Sequence, residues 1–160
     1  MHTSTRFAVA VHTLAFIAMR SGSDCSITSE MIAESVNTNP VVIRRILGSL
    51  RQAELVNSQC GCGGGWALAQ PASAITLRQI YHAIQGDPLL ALHHRPNPRC
   101  EVGQNMLSVL GSYFKDAEQA MEERLGRISV AEVMREIGAR APKLKAAKAV
   151  SHRHGPSTMK

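Results

Sequence analysis

Apolar residues first settle into a helical rhythm near the start of the chain. Phe7, Val11, Leu14 and Ala18 fall three or four apart, and Ala8, Ala15 and Ile17 widen the stripe. The spacing predicts a helix over residues 4–20, apolar enough that a domain core or a second subunit must cover it. It lacks the basic start and small-residue cleavage site of a signal peptide, so it reads as a buried helix of a cytoplasmic protein. Ser21-Gly22-Ser23 ends it, and Cys25-Ser26-Ile27 reads as a short extended segment able to pair with later strands. Thr28 then suits a helix N-cap, with Glu30 in the first turn where the helix dipole favours an acid. Met31, Ile32, Ala33 and Val36 make a short helix, and Asn37-Thr38-Asn39 a turn.

The next helix, over residues 40–53, is the best defined. Asn39 caps it and Pro40 occupies its first position, where a missing N–H costs nothing. Ile43, Ile46, Leu47 and Leu50 form one buried stripe. Val41, Arg44, Arg45, Gly48 and Gln52 lie opposite, with Arg51 at the flank. Such a face could offer donors to base edges and phosphates in a major groove. It could equally be a solvated helix with three arginines.

Residues 55–58 and 66–69 read as paired strands around a tip, Cys60-Gly61-Cys62-Gly63-Gly64-Gly65. Glycines there can adopt positive φ and approach a phosphate or groove closely. Helix, tight turn, helix and flap together make a winged helix-turn-helix. Thr76 caps a further helix over 77–85. Residues 87–103 read as a connecting loop. A long helix over about 104–125 carries Leu107, Leu110, Phe114, Ala117, Met121 and, beyond it, Ile128, a heptad-like seam. The seam suits a paired helix in a dimer, or packing on its own domain. Ser129 caps a last helix over 130–137.

The expected fold is therefore mainly α with a small β wing. Residues 1–86 form the winged domain, 87–103 a sensor or connecting loop, 104–139 dimerisation helices, and 140–160 a basic, disordered tail.

Charge changes this picture less than the total suggests. The 160-residue chain carries a net +6, but six of its basic residues and no acidic ones lie from Arg140 onward. Residues 1–139 hold 12 basic and 12 acidic side chains. Individual arginines, not overall basicity, must carry any nucleic-acid recognition. No apolar run reaches the roughly 20 residues a membrane span needs. No Ser/His/Asp set or carboxylate pair appears, and the glycine run lacks the lysine and following helix of a phosphate loop, so no enzyme is expected.

Four stretches carry a resemblance: the N-terminal helix ending near Arg20, NPVVIRRILGSLRQAELVNS, GGGWALAQPASAITLRQIYHAIQGD and CEVGQN. Over about residues 1–137 the sequence resembles the family of bacterial winged-helix regulators (Rrf) that includes the iron–sulfur cluster regulator IscR, the nitric-oxide sensor NsrR and the cysteine-metabolism regulator CymR. The resemblance implies a homodimer, joined through the long helix, that represses transcription from a partly palindromic double-stranded DNA operator. By position, Thr28, Ser29, Thr38, Asn39, Pro40, Val41, Val42, Arg44, Arg45 and Arg51 would belong to the helix-turn-helix contact surface. Ser58, Gln59, Gly61, Gly64 and Gly65 would lie along the backbone or minor groove.

Two departures matter. Relatives usually carry arginine where this chain has Cys60, and often where it has Gln70, so wing readout should be weaker or differently targeted. Cluster-binding relatives place three cysteines in the loop before the long helix, where this chain has Cys100 alone. No cofactor is therefore expected, an iron–sulfur cluster included. Cys60 and Cys62 instead suggest a thiol switch at the wing, with Cys25 or Cys100 as alternative partners. His93, His94 and Cys100 are the remaining metal candidates, and a polar loop explains them as well. The alternatives to a redox-responsive repressor are a winged-helix interaction module without operator binding and a metal- or cluster-sensing regulator.

Overall fold

The computed structural model describes residues 3–22, 26–58, 64–85, 90–92 and 95–151, with side chains described from residue 5 to residue 140. Among these residues six helices and two short strands follow in the order α1 (Thr3–Arg20), α2 (Ser29–Val36), α3 (Pro40–Gln52), β1 (Val56–Ser58), β2 (Trp66–Leu68), α4 (Leu77–Ile84), α5 (Glu101–Gly126) and α6 (Val130–Ser151).

The core is assembled from one face of each early element. Leu14 and Ile17 of α1, Ile32 of α2, Ile43, Leu47 and Leu50 of α3, and Ile80 and Ile84 of α4 are all buried. They belong to one apolar cluster with Leu55, Val56, Ile75 and Val130. At about 25 cal/mol per Å² of apolar surface removed from water, this cluster supplies the main force holding the unit together.

Local chemistry fixes the ends of these helices. The Thr28 hydroxyl accepts from the N–H of Met31 at 3.3 Å, and Asn37 turns the chain with φ 58°. Thr76 and Gln79 cap α4 reciprocally, side chain to backbone in both directions. The α5–α6 junction returns to the start of α4, where Leu77 N–H donates to Ile128 C=O and Val130 N–H to Ile75 C=O, each at 2.9 Å.

The two strands pair antiparallel, with Val56 opposite Leu68 and Ser58 opposite Trp66. The extended segment expected before α2 contributes one bond to this flap, Trp66 N–H to Ile27 C=O at 2.9 Å. Among the described residues it adds no third strand to the sheet.

Two boundaries differ from the sequence reading. Helix α5 begins at Glu101, inside the expected loop. Gly103 permits this, because a Cβ there would collide with the Asn97 carbonyl. Helix α6 runs to Ser151, through residues expected to be a structureless tail. That run has few large apolar residues, Leu144 and Val150, but is rich in alanine and lysine, which have high helix propensity. The rest of the expected tail lies outside the described residues.

Candidate nucleic-acid interface

Helix α3 is held from beneath and from both ends. Ile43, Leu47 and Leu50 are fully buried. Asn39 Oδ1 accepts from the Val41 N–H at 2.8 Å, satisfying one donor of the first turn. At the other end Arg51 Nη1 lies 3.4 Å from Ser58 Oγ, linking the helix to β1. The opposite face is open. Val41 is 47% exposed, and Arg44, Arg45, Arg51 and Gln52 are exposed. Gly48 lies on this face, and a Cβ added to it would meet nothing within 4 Å.

The two adjacent arginines are placed differently. Arg44 Nη2 donates to Glu30 Oε1, across the α2–α3 turn. The Glu30 carboxyl is held below its usual range first by a backbone N–H and then by Arg44. The Arg45 guanidinium has no such partner among the described residues. With Arg6, Val42 and Ile46 it lines a surface cavity of about 310 Å³. The sequence reading missed both Glu30 and Arg6 as members of this surface. Nothing in their local patterns points across to α3; only the packing of α1 and α2 brings them there.

The other expected contact residues divide into groups. Thr38 and Pro40 are half-buried and Asn39 is exposed, all at the start of α3. Val42 is half-buried against the core. Thr28 spends its hydroxyl oxygen on the α2 cap. Ser29 is buried, at 8% exposure, at the start of α2. Ser58 is exposed on β1.

At the flap, Gly65 serves the fold directly. A Cβ there would sit 2.8 Å from the Ile27 backbone nitrogen, so only glycine lets β2 start so close to that segment. Gln70, where relatives often have arginine, donates from Nε2 to the Glu54 carbonyl at 3.2 Å. It ties the exit of β2 to the turn after α3, where Glu54 adopts φ 56°. Gly64 is half-buried. Gln59, Cys60, Gly61 and Cys62, together with Cys25, His93 and His94, lie outside the described residues.

Cys100 is exposed as a free thiol at the start of α5, where it makes no side-chain cap. Among the described residues no group of three or more His, Cys, Asp or Glu side chains could hold a metal ion. No described helix is long and apolar enough to cross a membrane.

Sequence comparison agrees with this geometry. The Rrf2 family, described as an iron-dependent transcriptional regulator, matches residues 3–136. YwnA of Bacillus subtilis (strain 168), named as an HTH-type transcriptional regulator, is 39% identical over 135 residues, covering 84% of this chain and 98% of YwnA. Among solved structures, IscR of T. potens superposes with a TM-score of 0.64 at 22% identity, covering 86% of this chain and 88% of its own. CymR (YrzC), the global cysteine regulator of B. subtilis, superposes at 0.62 with 20% identity, covering 85% and 98%. The two structures share the winged-helix fold, and the relatives are regulators rather than enzymes. The chain belongs to the Rrf2 family of transcriptional regulators.

Proposed function

We propose that this chain is a cytoplasmic, homodimeric repressor that reads a double-stranded DNA operator with α3 and flanks it with the β1–β2 wing. One observation carries the reading: α3 buries its apolar stripe completely while turning Val41, Arg44 and Arg45 to solvent, with half-buried Gly48 on the same face. A glycine inside a helix costs about 1 kcal/mol relative to alanine, and no neighbour within 4 Å requires it here. Close approach of a DNA backbone supplies a reason for it. The homodimer rests on α5, a 26-residue helix with no buried residue. Val102, Leu107, Val109 and Tyr113 are exposed along it, and a second α5 would cover them.

The test is selection by the full chain from a randomised duplex pool at near-physiological salt. Enrichment of a pseudo-palindromic site supports the reading. Binding that shows no sequence preference returns the chain to the interaction-module alternative.

The second reading concerns the signal. Cys60 and Cys62 fall between two paired strands, within the wing assigned to DNA. Oxidation of the two thiols to a disulfide would release two protons and two electrons to a peroxide-class oxidant and reshape the tip. No resident metal or cluster is needed for this response. Oxidant should weaken operator binding by the wild type and spare the Cys60→Ser/Cys62→Ser variant. Equal loss in both places the response elsewhere, Cys100 and Cys25 being next. A metal assay and absorption spectrum of anaerobically purified protein tests cofactor independence: bound iron with a cluster spectrum would overturn it.

A further inference from the structure

We infer that Glu30 is a specificity-determining residue that positions Arg44 for a guanine edge. The inference rests on the DNA-binding reading above. Glu30 lies in the first turn of α2, while Arg44 lies a turn into α3 on its open face. The pair is 14 residues apart in sequence, so it forms only when the two helices pack. It contributes nothing to core burial, with side chains 57% and 55% exposed respectively.

The geometry leaves Arg44 able to do more than neutralise an acid. A guanidinium has five N–H donors, and the Glu30 bond uses Nη2 alone. Four donors remain, and one hydrogen on each of Nη1 and Nη2 makes a pair suited to O6 and N7 of guanine. Glu30 Oε2 is itself 3.5 Å from Ser29 Oγ, and Ser29 is buried. The acid is held chiefly by its own backbone N–H, with Ser29 only at the edge of hydrogen-bond reach, and the arginine is held by the acid. An arginine already held in one orientation loses less conformational freedom on meeting a base.

A carboxylate on a DNA-facing surface also repels phosphates. It therefore lowers affinity for every sequence while raising the advantage of the correct one. Arg45, one residue on and without an acidic partner among the described residues, is suited to the opposite role of binding phosphate regardless of sequence. Adjacent arginines thus divide the work: Arg44 specifies and Arg45 attracts.

The opposed effects give the test. Affinities of the full chain are measured for a duplex selected from a random pool and for an unrelated duplex of equal length. In Glu30→Gln, affinity for the unrelated duplex should rise about two- to threefold, as one repulsive charge is removed near the phosphates. The ratio of selected to unrelated affinity should fall about tenfold, the scale of one well-placed bidentate contact. Replacing the contacted guanine by 7-deazaguanine should cost the wild type more than Glu30→Gln. In an Arg44→Ala background, Glu30→Gln should leave the ratio unchanged within about twofold.

A ratio unmoved by Glu30→Gln overturns the inference. So does an equal fall in the Arg44→Ala background, which would mean that Glu30 reads a base itself. Equal weakening on both duplexes with a lowered melting temperature would assign Glu30 a structural role instead. Failure of the wild type to prefer any duplex is a different result, and removes the DNA-binding reading itself.

Discussion

Helices α1 and α5 both carry apolar stripes, and the single chain treats them differently. Helix α1 buries Val9, Ala10, Leu14, Phe16 and Ile17. The longer α5 buries nothing, although Leu110, Phe114 and Met121 of the seam are half-buried. Its C-terminal part is held against α4, where His82 Nε2 lies 3.2 Å from Glu122 Oε2. Its N-terminal part exposes Val102, Val109 and Tyr113, with Tyr113 at 64%. With half-buried Met106, these residues make a second stripe at spacings of four, three and four. The difference teaches that an apolar period in sequence fixes the geometry of a stripe but not what covers it. The domain covers α1; a second chain is the proposed cover for α5.

Substitutions on the two helices should therefore fail in different ways. Leu14→Ala removes a fully buried side chain and should cost about 2–5 kcal/mol of folding stability, read as a fall in urea midpoint. Val109→Glu with Tyr113→Glu should leave the urea midpoint of the winged unit nearly unchanged while shifting sedimentation from dimer to monomer. A melted core in that double variant would mean that α5 belongs to the domain after all.

Within the winged unit, the sharper comparison is between support and contact. Arg45→Ala should weaken binding to the selected and unrelated duplexes about equally and lower the salt slope by about one, with no change in melting temperature. Gly48→Ala should act in both directions, stabilising the fold by up to about 1 kcal/mol while weakening DNA binding by crowding the backbone. Stabilisation with undiminished binding would remove DNA approach as the reason for that glycine. Arg6→Ala should lower the salt dependence of binding by about one counterion if the cavity it shares with Arg45 receives a phosphate.

The smallest effect concerns the α6 cap. Ser129 N–H donates to Glu132 Oε2 at 2.8 Å, and this bond first of all holds the Glu132 carboxyl below its usual range. A lowered folded-state value means that its stabilisation is present above the unfolded carboxyl pKa and is lost as pH falls through the folded one. Glu132→Gln should therefore lower the melting temperature slightly at neutral pH, with the gap closing in acid.

Much of this architecture was legible in the sequence because its signals are local. Thr28 before α2, Asn39-Pro40 before α3 and Thr76 before α4 each mark a start within one turn. The α5 start was not legible, because Cys100 supplies no capping bond and Gly103 resembles a stop. The end of α6 was missed because few apolar residues were read as disorder, although alanine and lysine favour helix by themselves. At the site, the open face of α3 followed from its period alone. The burial of Ser29 was not legible because position beside a turn does not reveal it, and Glu30 was hidden because its partner is on another helix. Gln70 stood out as a departure from relatives, but its bond to the Glu54 carbonyl required the folded turn.

The most direct measurement is a hydroxyl-radical footprint on the duplex selected by the wild type, repeated with the Arg44→Ala/Arg45→Ala variant. The account predicts protection related by two-fold symmetry, with centres about one helical turn apart or a multiple of it. That protection should vanish in the double variant while its circular dichroism and melting temperature stay unchanged. A footprint that survives loss of both arginines, or one without two-fold symmetry, would contradict the claim that paired α3 helices read the DNA.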